Sequence, residues 1–303
     1  VPDADPLIDL ARLVCRHARP DLTTRIDGLL LSSITSTAPD YSLTEPLLVV
    51  MVQGRKRLWL ADEQYEYGPG QCLVVTADLP VTGQFRGATP DRPALGVGLA
   101  LHPATIAQLL LELPPQRRRP TIALPALATG RLDPQLLDAV RRLVRLLDAP
   151  ADASVLAPLV EREILWRLLT GPQSATVRAI GAADSPLTHI GRTIGWIRAN
   201  YAAPMQISDL AELAGLSPSA FHRHFRAITR MSPLQFQKRI RLQQARTLLL
   251  ARAGDVAGVG HLVGYDSPTQ FNREYRRMFG APPGEDSARL RRVTATNPVR
   301  PFP

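Results

Sequence analysis

The chain has 303 residues, 45% hydrophobic and 21% charged, which is the balance of soluble globular domains and enough length for about two of them. No apolar run approaches the ~20 residues that a membrane helix needs. Cys15 and Cys72 are the only cysteines, far apart, so a disulfide framework is not expected and a reducing cytoplasm is the simpler setting. The opening VPDADPLIDLARLVCRHARP has no basic patch followed by a long apolar stretch, so a secretory leader is not expected either. The net charge of +9 is unevenly placed. Residues 186–303 hold 17 Lys+Arg against 7 Asp+Glu (+10), whereas residues 1–185 hold 19 against 20 (−1). A basic second half beside a neutral first half predicts a polyanionic partner for the second. The alternative is charge that serves solubility only.

In chain order, residues 5–19 read as a short amphipathic helix. From about 29 to 101 the pattern changes to short apolar runs, LLLSSI, LLVVMVQG, KRLWL, QCLVVTA, PVTGQF and ALGVGLAL, separated by Gly, Pro and Asp. This spacing predicts an all-β meander closing into a sandwich or a small barrel. Alternation puts Cys72, Val74 and Thr76 on one strand face and Leu73, Val75 and Ala77 on the other, and leaves open which face lines the interior. Residues 103–113 read as helix, and PPQRRRP breaks the pattern. The segment 133–147 opens with an N-cap Asp and a Pro at the first helical position. Its apolar stripe of Leu136, Val140, Leu143 and Leu147 predicts a dimerisation face, with packing on the β domain as the alternative. A second helix is expected at about 155–170, then a small, polar linker, and from Pro186 onward everything reads as helical.

The second half contains a repeat. Ile207, Leu210, Ala211 and Gly215 have the same spacing as Val256, Val259, Gly260 and Gly264. Each set reads as a short helix with a small residue at its crossing point and a Gly at its end. Ser217 and Pro218, then Ser267 and Pro268, start the aromatic–arginine helices FHRHFRAIT and FNREYRRMF. Helix, glycine turn, second helix is the helix-turn-helix unit, present twice. At about 100° per residue, Phe221 and Phe225 define a core direction. Ser219, Arg223 and Arg226 then point nearly opposite, with His222 to one side. Phe271 and Tyr275 likewise place Thr269, Arg273 and Arg276 outward, flanked by Gln270 and Asn272. Arginine can donate two hydrogen bonds to guanine, and Asn or Gln can pair with adenine in the same way.

Residues 190–291, through ISDLAELAGLSPSAFHRHFRAITRMSPLQF, RLQQARTLLL and VGYDSPTQFNREYRRMFGAPP, resemble the DNA-binding domain of the AraC/XylS family of transcription regulators. The resemblance implies a seven-helix domain whose two recognition helices enter successive major grooves. It implies Ser219, His222 and Arg223 facing bases in one unit and Thr269, Gln270, Asn272 and Arg273 in the other. Arg230 departs from the pattern, standing where the family commonly has Gly, and Gly258 has no account in the sequence. YSLTEPLLVVMVQGRKRLWLADEQYEYGPGQCLVVTADLPVTGQF is similar to the cupin-like N-terminal domain of an AraC-type subgroup. No His lies between His17 and His102, so the closely spaced His and Glu ligands of a catalytic cupin are missing.

The expected fold class is therefore α+β in two domains: a small cupin-like β-barrel with a helical dimerisation segment, then an all-α double helix-turn-helix domain. The expected boundaries are 1–130 for the effector-binding domain, 131–175 for the dimerisation segment and 176–188 for the linker. The DNA-binding domain is expected at 189–292, with helix-turn-helix units at about 207–226 and 256–276, and a flexible tail at 293–303. The expected function is a sequence-specific regulator, not an enzyme, with no cofactor and no metal. Its expected partners are double-stranded DNA, a small, largely apolar effector and a second copy of the chain, with RNA polymerase as a further candidate. Trp59, Cys72, Val74 and Phe85 are the effector-pocket candidates, with Cys72 also weighed as a reactive thiol. The alternatives are a cupin-class enzyme fused to a DNA-binding domain and an architectural DNA-binding protein without an effector.

Overall fold

A computed structural model describes residues 5–114, 124–252 and 254–296. The chain divides into two compact units, with the boundary between Thr188 and His189. Among the described residues no helix is long and apolar enough to cross a membrane.

The first unit opens with α1 (Pro6–His17) and continues with β1 (Leu29–Ile34), β2 (Asp40–Leu43), β3 (Leu47–Gln53), β4 (Arg55–Leu60), β5 (Glu63–Tyr67), β6 (Gln71–Val75), β7 (Pro80–Arg86) and β8 (Ala94–Ala100). Then come α2 (Pro103–Glu112), β9 (Leu127–Arg131), α3 (Pro134–Arg145), a 3-10 turn (Leu146–Asp148), α4 (Pro150–Thr170) and α5 (Ser174–Gly181). The strands form two antiparallel sheets, β1-β8-β3-β6-β9 and β2-β7-β4-β5.

The two sheets carry different sequences because they are covered differently. In β3, β6 and β8 nearly every residue is buried, as a strand covered on both faces must be. In β4 and β7 burial alternates, the mark of one covered face. The five-stranded sheet is therefore the middle layer, between helices on one face and the smaller sheet on the other. Its helix-side face carries Leu29, Leu48, Val50, Cys72, Val74, Val97 and Leu99, in one core with Leu10, Leu136, Val140, Leu143, Leu147 and Ile164.

Three expectations are corrected here. The stripe Leu136, Val140, Leu143 and Leu147 is buried against the sheet and is no dimer face; a sheet apolar on both sides requires this helical cover. The stretch 176–188 is not a linker. Most of it lies in α5 and the first turn of the next helix, and Val177 and Ile180 join the core. Gly181 permits that packing, since a Cβ there would lie 2.7 Å from the Ala107 nitrogen. Residues 293–296 of the expected flexible tail belong instead to the last helix, which runs to Thr296; residues 297–303 lie outside the described residues.

The second unit follows from α6 (Pro186–Ala199), which starts at the boundary. It contains α7 (Ile207–Ala214), α8 (Pro218–Thr229), α9 (Pro233–Ala251), α10 (Val256–Leu262), α11 (Pro268–Phe279) and α12 (Pro283–Thr296). The long α9 starts on a capping box in which Ser232 and Gln235 satisfy each other's backbone N–H.

Candidate nucleic-acid interface

The two helix-turn-helix units are built by the same local chemistry. The Ser217 hydroxyl accepts from the Ala220 N–H and the Ser267 hydroxyl from the Gln270 N–H, each at 3.3 Å, with Pro at the first helical position. These caps fix where α8 and α11 begin. Gly215 (φ +66°) and Gly264 (φ +89°) make the two turns in left-handed backbone, where a Cβ is disfavoured. Phe221, Phe225, Phe271 and Tyr275 are fully buried. Phe225 meets Phe236 of α9 edge-on at 5.5 Å, and the Tyr275 ring lies tilted against Phe279 at 4.5 Å. This anchoring sets the rotation of both helices about their axes.

With that rotation fixed, Ser219, His222, Arg223 and Arg226 are all exposed on one side of α8. Thr269, Gln270, Asn272, Arg273 and Arg276 are all exposed on the corresponding side of α11. His224 instead turns to the core edge, where burial, the Arg223 charge and His189 hold its imidazole below the usual range. Several arginines of the first unit are tied to acids: Arg57 to Glu66, Arg142 to Asp138 and Glu163, and Arg167 to Glu163. Among the described residues, Arg223, Arg226, Arg273 and Arg276 are not paired with any carboxylate. Two parallel sets of unneutralised guanidiniums beside amides and hydroxyls can meet phosphate oxygens and base edges together.

The structure also explains Gly258, which the sequence left without a reason. The Asp255 carboxylate caps α10 by accepting from the Gly258 N–H at 2.9 Å, and a Cβ at 258 would collide with that carboxylate. Gly260 sits at the crossing with α11, where a Cβ would lie 3.1 Å from the Phe271 ring. Arg230 takes the left-handed cap position of α8 at φ +59°, which Gly280 fills for α11 at φ +81°.

The four effector-pocket candidates do not come together. Cys72 and Val74 face the helices rather than the smaller sheet, and the crevice on that side leaves no room for a water molecule. Burial pushes the Cys72 thiol up to about 11, which leaves it in the unreactive thiol form. Trp59 is half-buried on the outer face of β4, with the Arg57 guanidinium 5.8 Å from its ring. Phe85 alone faces the interior between the sheets. There it meets Lys56, whose Nζ stands 4.6 Å over its ring. Lys56 is 1% exposed. Burial pulls its ammonium down to about 8 against the opposing pull of Asp40. Gly83 makes the space, since a Cβ there would lie 2.7 Å from the Lys56 Cε. Lys56 is absent from the expected pocket residues, although alternation in β4 puts it on one face with Leu58 and Leu60.

A β-sheet unit followed by paired, similarly built helix-turn-helix units defines a class of transcription regulators. Residues 25–176 match the family described as AraC-type transcriptional regulator N-terminus, and residues 210–289 match the description helix-turn-helix domain. The chain belongs to the AraC family of transcriptional regulators. The HTH-type transcriptional activator RhaS of Escherichia fergusonii is 27% identical over 157 residues, 51% of this chain and 55% of that protein, so the match spans about half of such relatives. The uncharacterized HTH-type transcriptional regulator YpdC of Escherichia coli is 24% identical over 255 residues, 81% of this chain and 82% of that protein. Among solved structures, an apo variant of ToxT from Vibrio cholerae matches with a TM-score of 0.53 at 8% identity, over 88% of this chain and 98% of that one. ToxT bound to an unsaturated fatty acid matches with a TM-score of 0.52 at 7% identity, over 86% and 94%.

Proposed function

We propose that this protein is a cytoplasmic transcription regulator without enzymatic activity, which binds specific duplex DNA through α8 and α11. The observation that carries this reading is the pair of equivalent helix faces, both exposed and both holding arginines not neutralised by carboxylates. Arg223 and Arg273 are the guanine readers. Asn272 and Gln270 suit adenine, Ser219, His222 and Thr269 complete the base-facing set, and Arg226 and Arg276 reach phosphates.

The regulator responds to a small molecule held in the first unit. The neighbouring ToxT structures are described with an unsaturated fatty acid and with a naphthyl-butenoic acid. In this chain the matching chemistry is the Lys56 ammonium beside Phe85, on an inner sheet face of Leu58, Leu60 and Val81. An acidic head on Lys56 and an apolar body along that face is the effector class this environment favours.

The protein works as a homodimer, with RNA polymerase as the further partner at the promoter. The buried stripe of α3 is not available for association. On α4, however, Val155, Leu159 and Trp166 are exposed on one side, at 66%, 61% and 38%, with Leu156 beside them. The spacing of four and seven residues keeps them on one helix face, suited to the same face of a second copy.

The test is to incubate the purified chain with sheared genomic DNA and map what it retains. Recovery of discrete two-part sites, with affinity falling steeply as salt rises, is the expected result. Uniform retention without a site would remove sequence-specific regulation.

A further inference from the structure

One side chain of α9 joins the two helix-turn-helix units. Arg241 lies near the middle of that helix. Its Nε donates to the Tyr201 carbonyl at 2.6 Å, and its Nη2 to the Ala202 and Ala203 carbonyls at 3.2 and 3.1 Å. These carbonyls belong to the turn that leads into α7 of the first helix-turn-helix. Its Nη1 donates to the Gly264 carbonyl at 2.7 Å, in the turn of the second. Gly264 is shaped for this, because a Cβ there would lie 2.9 Å from the Arg241 Cζ and would also strike the Ala202 oxygen.

Neighbours on α9 extend the grip in both directions. The Gln237 amide donates to the Tyr201 and Ala203 carbonyls at 3.1 and 2.8 Å. Lys238 donates to Glu274 of α11 at 2.9 Å. The other Glu274 oxygen accepts from the Tyr265 hydroxyl at 2.9 Å, and the Tyr265 ring lies 6.0 Å from the Arg241 guanidinium. Glu274 also accepts from the Gln270 amide at 3.3 Å, so the network ends on a base-facing side chain.

A planar guanidinium with fixed donors resists both rotation and sliding, whereas an apolar contact tolerates either. We propose that Arg241 is a positioning residue that fixes the separation and phase of the two recognition helices, so that the domain accepts one spacing between its half-sites. The proposal rests on DNA being the ligand of α8 and α11. Arg241 itself lies outside the base-reading set.

The test uses the full chain and a mapped two-part site, each half-site alone, and versions with one base pair inserted between the halves. In the parent, one inserted base pair should cost on the order of 100-fold, because two rigidly joined readers lose their second contact together. Arg241→Ala should bind each half-site within about twofold of the parent. Its affinity for the full site should fall about tenfold, and the insertion should then change binding by less than about threefold, as expected of a loosened link. If the variant keeps the parental insertion penalty, the positioning role is wrong. Should Arg241→Ala fail to fold, Arg241→Gln keeps a donor for residues 201–203 and gives up Gly264. An unchanged penalty in that variant overturns the proposal equally. A parent that binds no two-part site would instead sink the DNA reading itself.

Discussion

The Asp286 carboxylate in α12 is fully buried and accepts from three groups: Arg246 Nε at 2.8 Å, Arg289 Nη2 at 2.6 Å and the Tyr275 hydroxyl at 2.9 Å. It thereby fastens α9, α11 and α12 together. Asp286→Asn keeps the size, removes the charge and points an N–H₂ at a donor. It takes the carboxylate away from Arg246, whose side chain is only 14% exposed. Breaking a buried pair from one side costs about 3–5 kcal/mol. For a unit of this size, each kcal/mol lowers the midpoint by roughly 4–8 °C, so calorimetry should show the second unit melting at least 12 °C earlier or so. The control is Asp148→Asn, which breaks the pairs with Arg16 and His17 at side-chain exposures of 61% and 22% against 34% for Asp148 and should cost about 1 kcal/mol or less. Burial raises the Asp286 pKa, but the hydrogen bonds from Arg246 and Arg289 outweigh it and hold the group below the usual carboxylate range. A depressed carboxylate stabilises the fold above its unfolded pKa of about 3.9, and that stability is lost as pH falls through the folded value. The parent should therefore show an acid-induced loss of second-unit stability that Asp286→Asn lacks. A variant as stable as Asp148→Asn would refute the claim that this network carries the unit.

Four further outcomes are expected. Arg230→Gly should stabilise the second unit by about 1 kcal/mol, since φ +59° costs a side-chain-bearing residue roughly that much, as denaturant titration would show. Maleimide should label exposed Cys15 in the native protein and reach Cys72 only after unfolding, with native labelling of Cys72 as the contrary result. Lys56→Met should remove a rise in stability between pH 8 and about 10.5. In that window the unfolded lysine holds a proton that the folded one, at about 8, has released. Leu159→Glu should leave the protein folded and shift its sedimentation from dimer to monomer; a folded variant that stays dimeric would move the interface off α4.

The parts of this molecule that could be read from its sequence are those whose causes lie within a few residues of one another. The serine caps, the glycine turns and the aromatic pairs of α8 and α11 recur at a fixed spacing, so the side opposite each core was assignable by angle alone. What escaped depends on which element covers which. The stripe on α3 says only that something apolar meets it. The continuous run LLVVMV in β3 was the missing half, because a strand apolar on both faces demands a helical layer. Alternation likewise fixed which residues share a face with Cys72 but not the direction of that face. The small, polar look of 176–188 hid Val177 and Ile180, two apolar residues three apart that dock α5. Arg241 could not be recognised, since its partners are backbone carbonyls of distant turns.

Base-resolved competition on a mapped site shows which base pairs α8 and α11 each read. The parent, Arg223→Ala and Arg273→Ala would each be challenged with every single-base substitution across the two half-sites. Each variant should lose roughly 1–3 kcal/mol and become indifferent to the base at one G·C pair, in a different half-site for each variant. Both variants retaining the full parental base preference would contradict base reading by these two helices.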